Sequence, residues 1–252
     1  LDMSAAGAAT FNSTINGVGI SSDITNFSES MLISNDAGTG TLDSANNNTG
    51  FGFEVFDDLT SGDGNTGVGR KALTVLTTGS NNTGVGINAL LANTTGSNNT
   101  AIGSIAGSSI TTGASNVAIG RNSLSNTTTG NANIAIGLSA LESNTTASYN
   151  TAVGHETLNA NTTGANNVAI GSGALDANTT GDANTAVGKD ALTDNTTGTN
   201  NVAVGENALA NNTTADQNTA VGQNALLTST TAGNNVAIGH DAMRLTTGGG
   251  NS

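Results

Sequence analysis

The chain has 252 residues, 35 of them Gly, with no Pro, Cys or Trp, one Tyr and five Phe. Only 9% of residues are charged and the formal net charge is -13. This excludes a highly charged disordered chain and leaves too few aromatics for a conventional layered core. The absence of Cys excludes a disulfide framework and thiolate metal sites. The five bases, Arg70, Lys71, Arg121, Lys189 and Arg244, form no patch, which argues against nucleic acid and an anionic membrane surface.

The composition divides the chain into residues 1–47 and a repeat array over 48–252. No window reaches the length of a transmembrane helix, so membrane insertion is not expected. Leu1 opens the chain with no recognisable signal peptide, so any export signal is expected to have been removed or to lie outside this segment. All five Phe lie within the first 56 residues, at Phe11, Phe27, Phe51, Phe53 and Phe56. The stretch SMLISNDAG (30–38) reads as a degenerate coil, one residue out of phase, with Ile33 in a Val/Ile column and Ala37 in an Ala column. Asn16-Gly17-Val18-Gly19 reads as another. A segment of this kind is expected to cap the open end of a stack.

From Gly52 to Gly239, twelve Gly follow Val, Ile or Phe at a constant interval of 17. Position 1 of each coil is Asn, including Asn99, Asn116, Asn133 and Asn150. Position 3 is Gly or Ala, and position 4 is Val or Ile except at Phe51. Position 5 is the constant Gly, including Gly103, Gly120, Gly137 and Gly154; position 9 is mostly Leu and position 13 is Thr. A 17-residue unit cannot bury its own apolar side chains, but stacked units can. The pattern predicts an all-β protein, a parallel β-solenoid of about twelve regular coils. Extended segments are expected near positions 1–4 and 8–10, with stacked Val/Ile, Leu and Asn ladders. Positions 2 and 4 point to one side of the strand and position 3 to the other. Twelve tiny residues at position 3 therefore imply a close approach, by the opposite wall of the coil or by another chain.

The segments NVAIG (116–120, 167–171, 235–239) and NTAVG (150–154, 184–188, 218–222) resemble the head repeats of trimeric autotransporter adhesins. The phrase NTAVGKDALTDNTTG (184–198) is similar to repeat arrays in bacterial and phage tail-fibre-like proteins. The resemblance covers roughly residues 48–252 and implies a parallel β-roll, often in a homotrimeric extracellular fibre. The period of 17 is longer than in the typical adhesin head.

The array runs through Thr246-Thr247-Gly248-Gly249-Gly250-Asn251 and stops at Ser252, one residue into the next coil by the 17-residue count. An uncapped edge invites pairing. Head-to-tail assembly is one expectation, with Phe11, Phe27, Met31, Leu32, Phe51, Phe53, Phe56 and Ser252 as candidate assembly residues; the alternative is a segment of a longer protein.

Candidate chemistry is sparse. His155 and His240 lie five coils apart, about 24 Å along the stack, too far to share a metal or act as a catalytic pair. No nucleophile elbow, P-loop or His–carboxylate cluster occurs. Asp57, Asp58 and Asp63 form a weak candidate ion loop. The sequons at Asn93, Asn126, Asn144, Asn161, Asn178, Asn195 and Asn212 read primarily as turn chemistry. The Thr column suggests an ice-binding array, although its place beside Gly points to a turn. The expected protein has no cofactor, metal or catalytic residue. It is a structural subunit of an extracellular, cell-surface or virion fibre whose partner is itself, as a homopolymer or homotrimer. The competing readings are an adhesin or tail-fibre rod that contacts a cell-surface glycan or protein, and an ice-binding solenoid.

Overall fold

A computed structural model describes the backbone course of residues 14–15, 18–24 and 27–34, and residues 44–246 and 248–251 in full. It is an all-β molecule, with no helix among the described residues. Twelve three-residue strands, from β4 (Thr49–Phe51) to β15 (Val236–Ile238), stack in parallel and in register at 17-residue intervals. The rod is a parallel β-solenoid. Coils are numbered below from coil 1, led by Asn48, to coil 12, led by Asn235.

Ahead of the coils lie β1 (Thr14–Ile15), β2 (Val18–Ile24) and β3 (Phe27–Ser34), paired antiparallel to one another. β3 then pairs in parallel with β4, and Ile33 lies opposite Phe51. Ile33 thus occupies the position-4 column, displaced by one residue as its sequence context predicts. Val18 and Gly19 correct the other expectation: they belong to an antiparallel strand rather than a coil. Asn16, Gly17 and Ala37 lie outside the described residues.

Only positions 2–4 are strand. The second extended segment expected at positions 8–10 is a turn path, because positions 7 and 9 both take positive φ, as at Lys71 (59°) and Leu73 (54°). Left-handed backbone costs about 1–2 kcal/mol for a non-Gly residue. It is retained because both amides stay bonded, Lys71 N back to Phe53 O at 2.8 Å and Leu73 N forward to Ala89 O at 3.0 Å. Full burial of the Leu side chain contributes a further ~1.5–3 kcal/mol.

The interior is narrow and is filled by positions 3, 8 and 9 together with position 12. The Val/Ile column does not line it. Position 3 does, against the opposite wall of its own coil stack: a Cβ on Gly67 would meet Val55 Cγ1 at 2.7 Å and Phe56 Cζ at 3.2 Å. That finding resolves the close approach in favour of the coil's own wall. Bulk is traded between columns. Coil 4 has Gly107 at position 9, and Ile110 at position 12 packs over it, 3.1 Å from where a Cβ would lie.

Two polar ladders complete the core. At position 1, Asn116 N donates to Asn99 Oδ1 (3.0 Å), and Asn116 Nδ2 donates to Asn99 Oδ1 (3.1 Å) and to Gly130 O (2.8 Å). Asn133 N and Asn150 N repeat the backbone bond at 3.0 Å each. At position 12, Asn161, Asn178, Asn195 and Asn212 each donate to the Asn Oδ1 one coil earlier. Coil 12 closes in 16 residues rather than 17. Asn251 N bonds Asn235 Oδ1 at 3.0 Å, so Asn251, not Ser252, takes the leading column. Ser252 lies outside the described residues.

Two substitutions test this packing. Gly103 has φ +136° and a Cβ there would lie 2.7 Å from Gly120 O, so Gly103→Ala is expected to cost about 3 kcal/mol or more by denaturant titration. Asn93 sits between Leu76 and Ile110 in the position-12 column, and its buried Oδ1 has no partner. Asn93→Leu is therefore expected to leave stability unchanged or raise it by about 1 kcal/mol. A large loss of melting temperature in that variant would contradict the assignment of the column as interior.

Candidate functional site: the outward sheet face

Strand alternation turns positions 2 and 4 outward once position 3 is committed to the core. Every position-2 residue is Thr, Val or Ile, and every position-4 residue is Val, Ile or Phe. No charged residue interrupts this face along the twelve coils. Phe51 is 57% exposed and Ile102 41%, and Ile136, Ile170 and Val204 are also exposed. At about 4.8 Å per coil and 3.3 Å per residue, the face measures about 55 by 10 Å. Monomeric proteins rarely expose larger continuous apolar patches, and such patches mark interaction sites.

The chain beyond each strand end supplies a rim. On one side, positions 6 and 7 carry Arg70, Lys71, Arg121 and Lys189 with Glu54, Glu156, Asp190, Glu206 and Asp241. On the other, position 16 carries Asp63, Asp182 and Asp216. Lys71 Nζ pairs with Glu54 Oε2 at 2.9 Å and Lys189 Nζ with Asp190 Oδ2 at 2.7 Å. Asp182 Oδ1 and Asp216 Oδ1 accept the backbone N–H of Ala165 and Thr199, both at 2.6 Å. The rest of the array's acids, Asp57, Asp58, Glu142, Asp176 and Asp194, lie at positions 10 and 11, away from the face.

The residues singled out from sequence separate in space. Phe51 is part of the outward face and Phe53 is half-buried at position 6, whereas Phe56 is fully buried in the coil-1 interior and leaves the assembly set. Phe11 lies outside the described residues, as do the side chains of Phe27, Met31 and Leu32. Gly103, Gly120, Gly137 and Gly154 form the tight corner between face and rim, with φ between 129° and 145°. His155 and His240 are exposed beside Glu156 and Asp241, at 3.6 and 3.3 Å. Asp57, Asp58 and Asp63 do not form an ion site: no group of three or more His, Cys, Asp or Glu among the described residues is placed to hold a metal.

Sequon Asn residues bond their own turns as expected, Asn161 Nδ2 donating to Gly164 O, but their placement differs from a surface turn. Asn93, Asn144, Asn161, Asn178, Asn195 and Asn212 are buried in the position-12 column, and only Asn126 of the seven is exposed. The position-13 Thr hydroxyls do not cap amides. They donate to the Thr carbonyl of the next coil, as Thr77 Oγ1 does to Thr94 O at 3.0 Å. The outward face itself was missed by sequence reasoning. Its signal was present in the pairing of a tiny position 3 with β-branched positions 2 and 4.

No family model, curated protein or solved structure matches the chain.

On the far side, the affinity of the Asp176 carboxyl for protons is perturbed. Partial burial raises its pKa; the hydrogen bond from Thr193 Oγ1 and one from the Ala177 backbone oppose this, and Asp190 and Asp194 add to it. With the folded value above the unfolded one, its stabilising contribution is complete below the ordinary carboxylate range and is lost as pH rises through the folded value. Asp176→Asn is expected to raise the melting temperature at neutral pH, with the gain shrinking toward zero below about pH 3.9. A gain that is constant with pH would exclude this cause.

Proposed function

We propose that the chain is a non-enzymatic structural rod that self-associates through its outward sheet face, as a subunit of an extracellular fibre or filament. The observation that carries the reading is the uncharged face of positions 2 and 4, continuous over twelve coils and bordered by charged rims. An apolar centre within a polar rim is the anatomy of a protein–protein contact. A projected area of about 550 Å² before the rims are counted approaches the ~800 Å² per partner of a stable interface. Backbone bonds between successive coils supply the stiffness of such a rod. Other copies of the chain are its partners in this reading, and neither nucleic acid nor a bilayer is required. The three-chain arrangement of an adhesin head or tail fibre, displaying its flanks to a cell-surface glycan or protein, is the variant in which the same face closes on a three-fold axis.

A second reading is favoured by a separate observation. Seven of the twelve position-2 residues are Thr, projecting outward from a regular sheet. Such an array suits binding to an ordered water lattice.

Sedimentation equilibrium of the full chain decides between these readings. The expected result is a discrete oligomer that becomes monomeric, with unchanged circular dichroism, in the Ile102→Lys, Ile136→Lys variant. A native chain that stays monomeric at all concentrations overturns self-association, and thermal hysteresis in that monomer would establish the lattice-binding reading.

A further inference from the structure

Resting on the self-association reading, we propose that two copies pack face to face with their rods antiparallel, the two-fold axis running along the strand direction through coil 6. The occupant of the outward face is a second copy of this chain.

The rim charges carry the inference. Four of the five bases in the chain lie at positions 6 and 7. Lys71 and Lys189 are satisfied within their own chain by Glu54 and Asp190. Asp241 faces His240 and Arg244. Among the described residues no carboxylate lies within ion-pair distance of Arg70 or Arg121, no cation lies that close to Glu206, and Glu156 faces only His155. All four of these side chains belong to exposed residues. The two cations fall in coils 2 and 5, the two anions in coils 7 and 10.

A two-fold axis along the strands reverses the rod and the face normal but keeps the strand direction. Each 6/7 rim therefore meets the partner copy's 6/7 rim, and coil n meets coil 12−n when the axis passes through coil 6. Arg70 of coil 2 then faces Glu206 of coil 10, and Arg121 of coil 5 faces Glu156 of coil 7. Leu138 of coil 6, an exposed apolar side chain on this rim, meets its own copy on the axis. Along the opposite rim, Asp63, Asp182 and Asp216 precede the strands of coils 2, 9 and 11, which face the strands of coils 10, 3 and 1, so no two acid-bearing strand ends oppose each other.

Other arrangements lose this match. A slip of one coil in either direction removes both Arg–Glu pairs: Arg70 meets the Lys189–Asp190 pair or Gln223, and Arg121 meets Leu138 or Ser172. A parallel two-fold or three-fold axis along the rod sets the 6/7 rim that follows each strand against the 16/17 residues that precede the same strand and belong to the coil before. That geometry brings Arg70 toward Asp63 and Lys189 toward Asp182, carboxylates that already accept the backbone N–H of Asn46 and Ala165, and it leaves Arg121, Glu156 and Glu206 without an opposite charge. Exposed ion pairs are individually weak, so the apolar face supplies affinity. The rim charges choose orientation and register, because only this arrangement gives Arg70, Arg121, Glu156 and Glu206 each an opposite charge.

The test uses the full chain at low ionic strength, where rim charges are least screened. Reversing the cations, Arg70→Glu with Arg121→Glu, is expected to weaken the dimer roughly tenfold or more in sedimentation. Adding Glu156→Arg and Glu206→Arg to the same chain is expected to restore it. Because the chain contains no Cys, single-Cys variants report orientation directly. A mixture of Arg70→Cys and Glu206→Cys chains is expected to crosslink on oxidation, while a mixture of Arg70→Cys and Asp63→Cys chains does not. Crosslinking in the second mixture but not the first, or a three-chain mass, overturns the antiparallel dimer and leaves self-association through the face intact. A native chain that is monomeric throughout overturns both.

Discussion

Everything in this molecule depends on the constancy of coil length. A backbone amide at a given position finds its acceptor at a fixed position one coil away, so the hydrogen-bond set of one coil is complete only if its neighbours match it residue for residue. The position-2 amides illustrate this: Thr49, Thr66 and Thr83 each donate to the leading Asn carbonyl of the next coil at 2.8 Å. The buried Asn column enforces the same register from inside, because its side-chain oxygens accept the next coil's amide and most of its Nδ2 groups, Asn150 and Asn218 excepted, donate to the previous Asn. Breaking one rung would leave buried polar groups unpaired on both sides, the costliest kind of lost hydrogen bond. The single shortened coil, the twelfth, keeps the ladder by moving Asn251 into the leading place after a run of three Gly, residues with the backbone freedom such an adjustment needs.

A second constraint follows from the first. Seventeen residues enclose little volume, and two Asn columns already claim part of it. What remains accommodates one large side chain in most coils and two in coils 1 and 2. Where coil 1 carries both Phe56 and Leu59 inside, coils 1, 2 and 3 have Gly at position 3; where coil 4 loses its Leu, Ile110 fills the space. The β-branched residues of positions 2 and 4 have no room inside and are turned out. The apolar face is thus a consequence of coil size: the residues that the interior cannot hold form a continuous outward surface.

The period, the parallel all-β architecture, the place of the strand and the stacked Asn column were legible in the sequence, because a repeat averages out local ambiguity and each column shows its tolerance directly. The direction of the faces was harder to read. Val and Ile look like core residues on hydrophobicity alone, and Ala looks dispensable; only the packing distance across the coil reverses that order. The turn path through positions 7–10 was hidden because Leu at positive φ contradicts local propensity and is sustained by bonds to two different neighbours. The buried sequons show the same limit, since Asn-Thr-Thr reads as a surface turn until the carbonyl three residues on is seen to take the amide, as Gly164 O does from Asn161 at 2.9 Å.

The most direct measurement of the coil register is native-state hydrogen exchange resolved by residue. Amides at positions 1, 2 and 5 are bonded between coils, whereas the position-6 amides of Arg70, Arg121 and Leu138 make no backbone bond. Slow exchange at positions 1, 2 and 5 recurring every 17 residues, with fast exchange at position 6, is the expected pattern. Uniform protection, or protection that does not repeat with the coil, would contradict the stacked register on which the outward face and its rims depend.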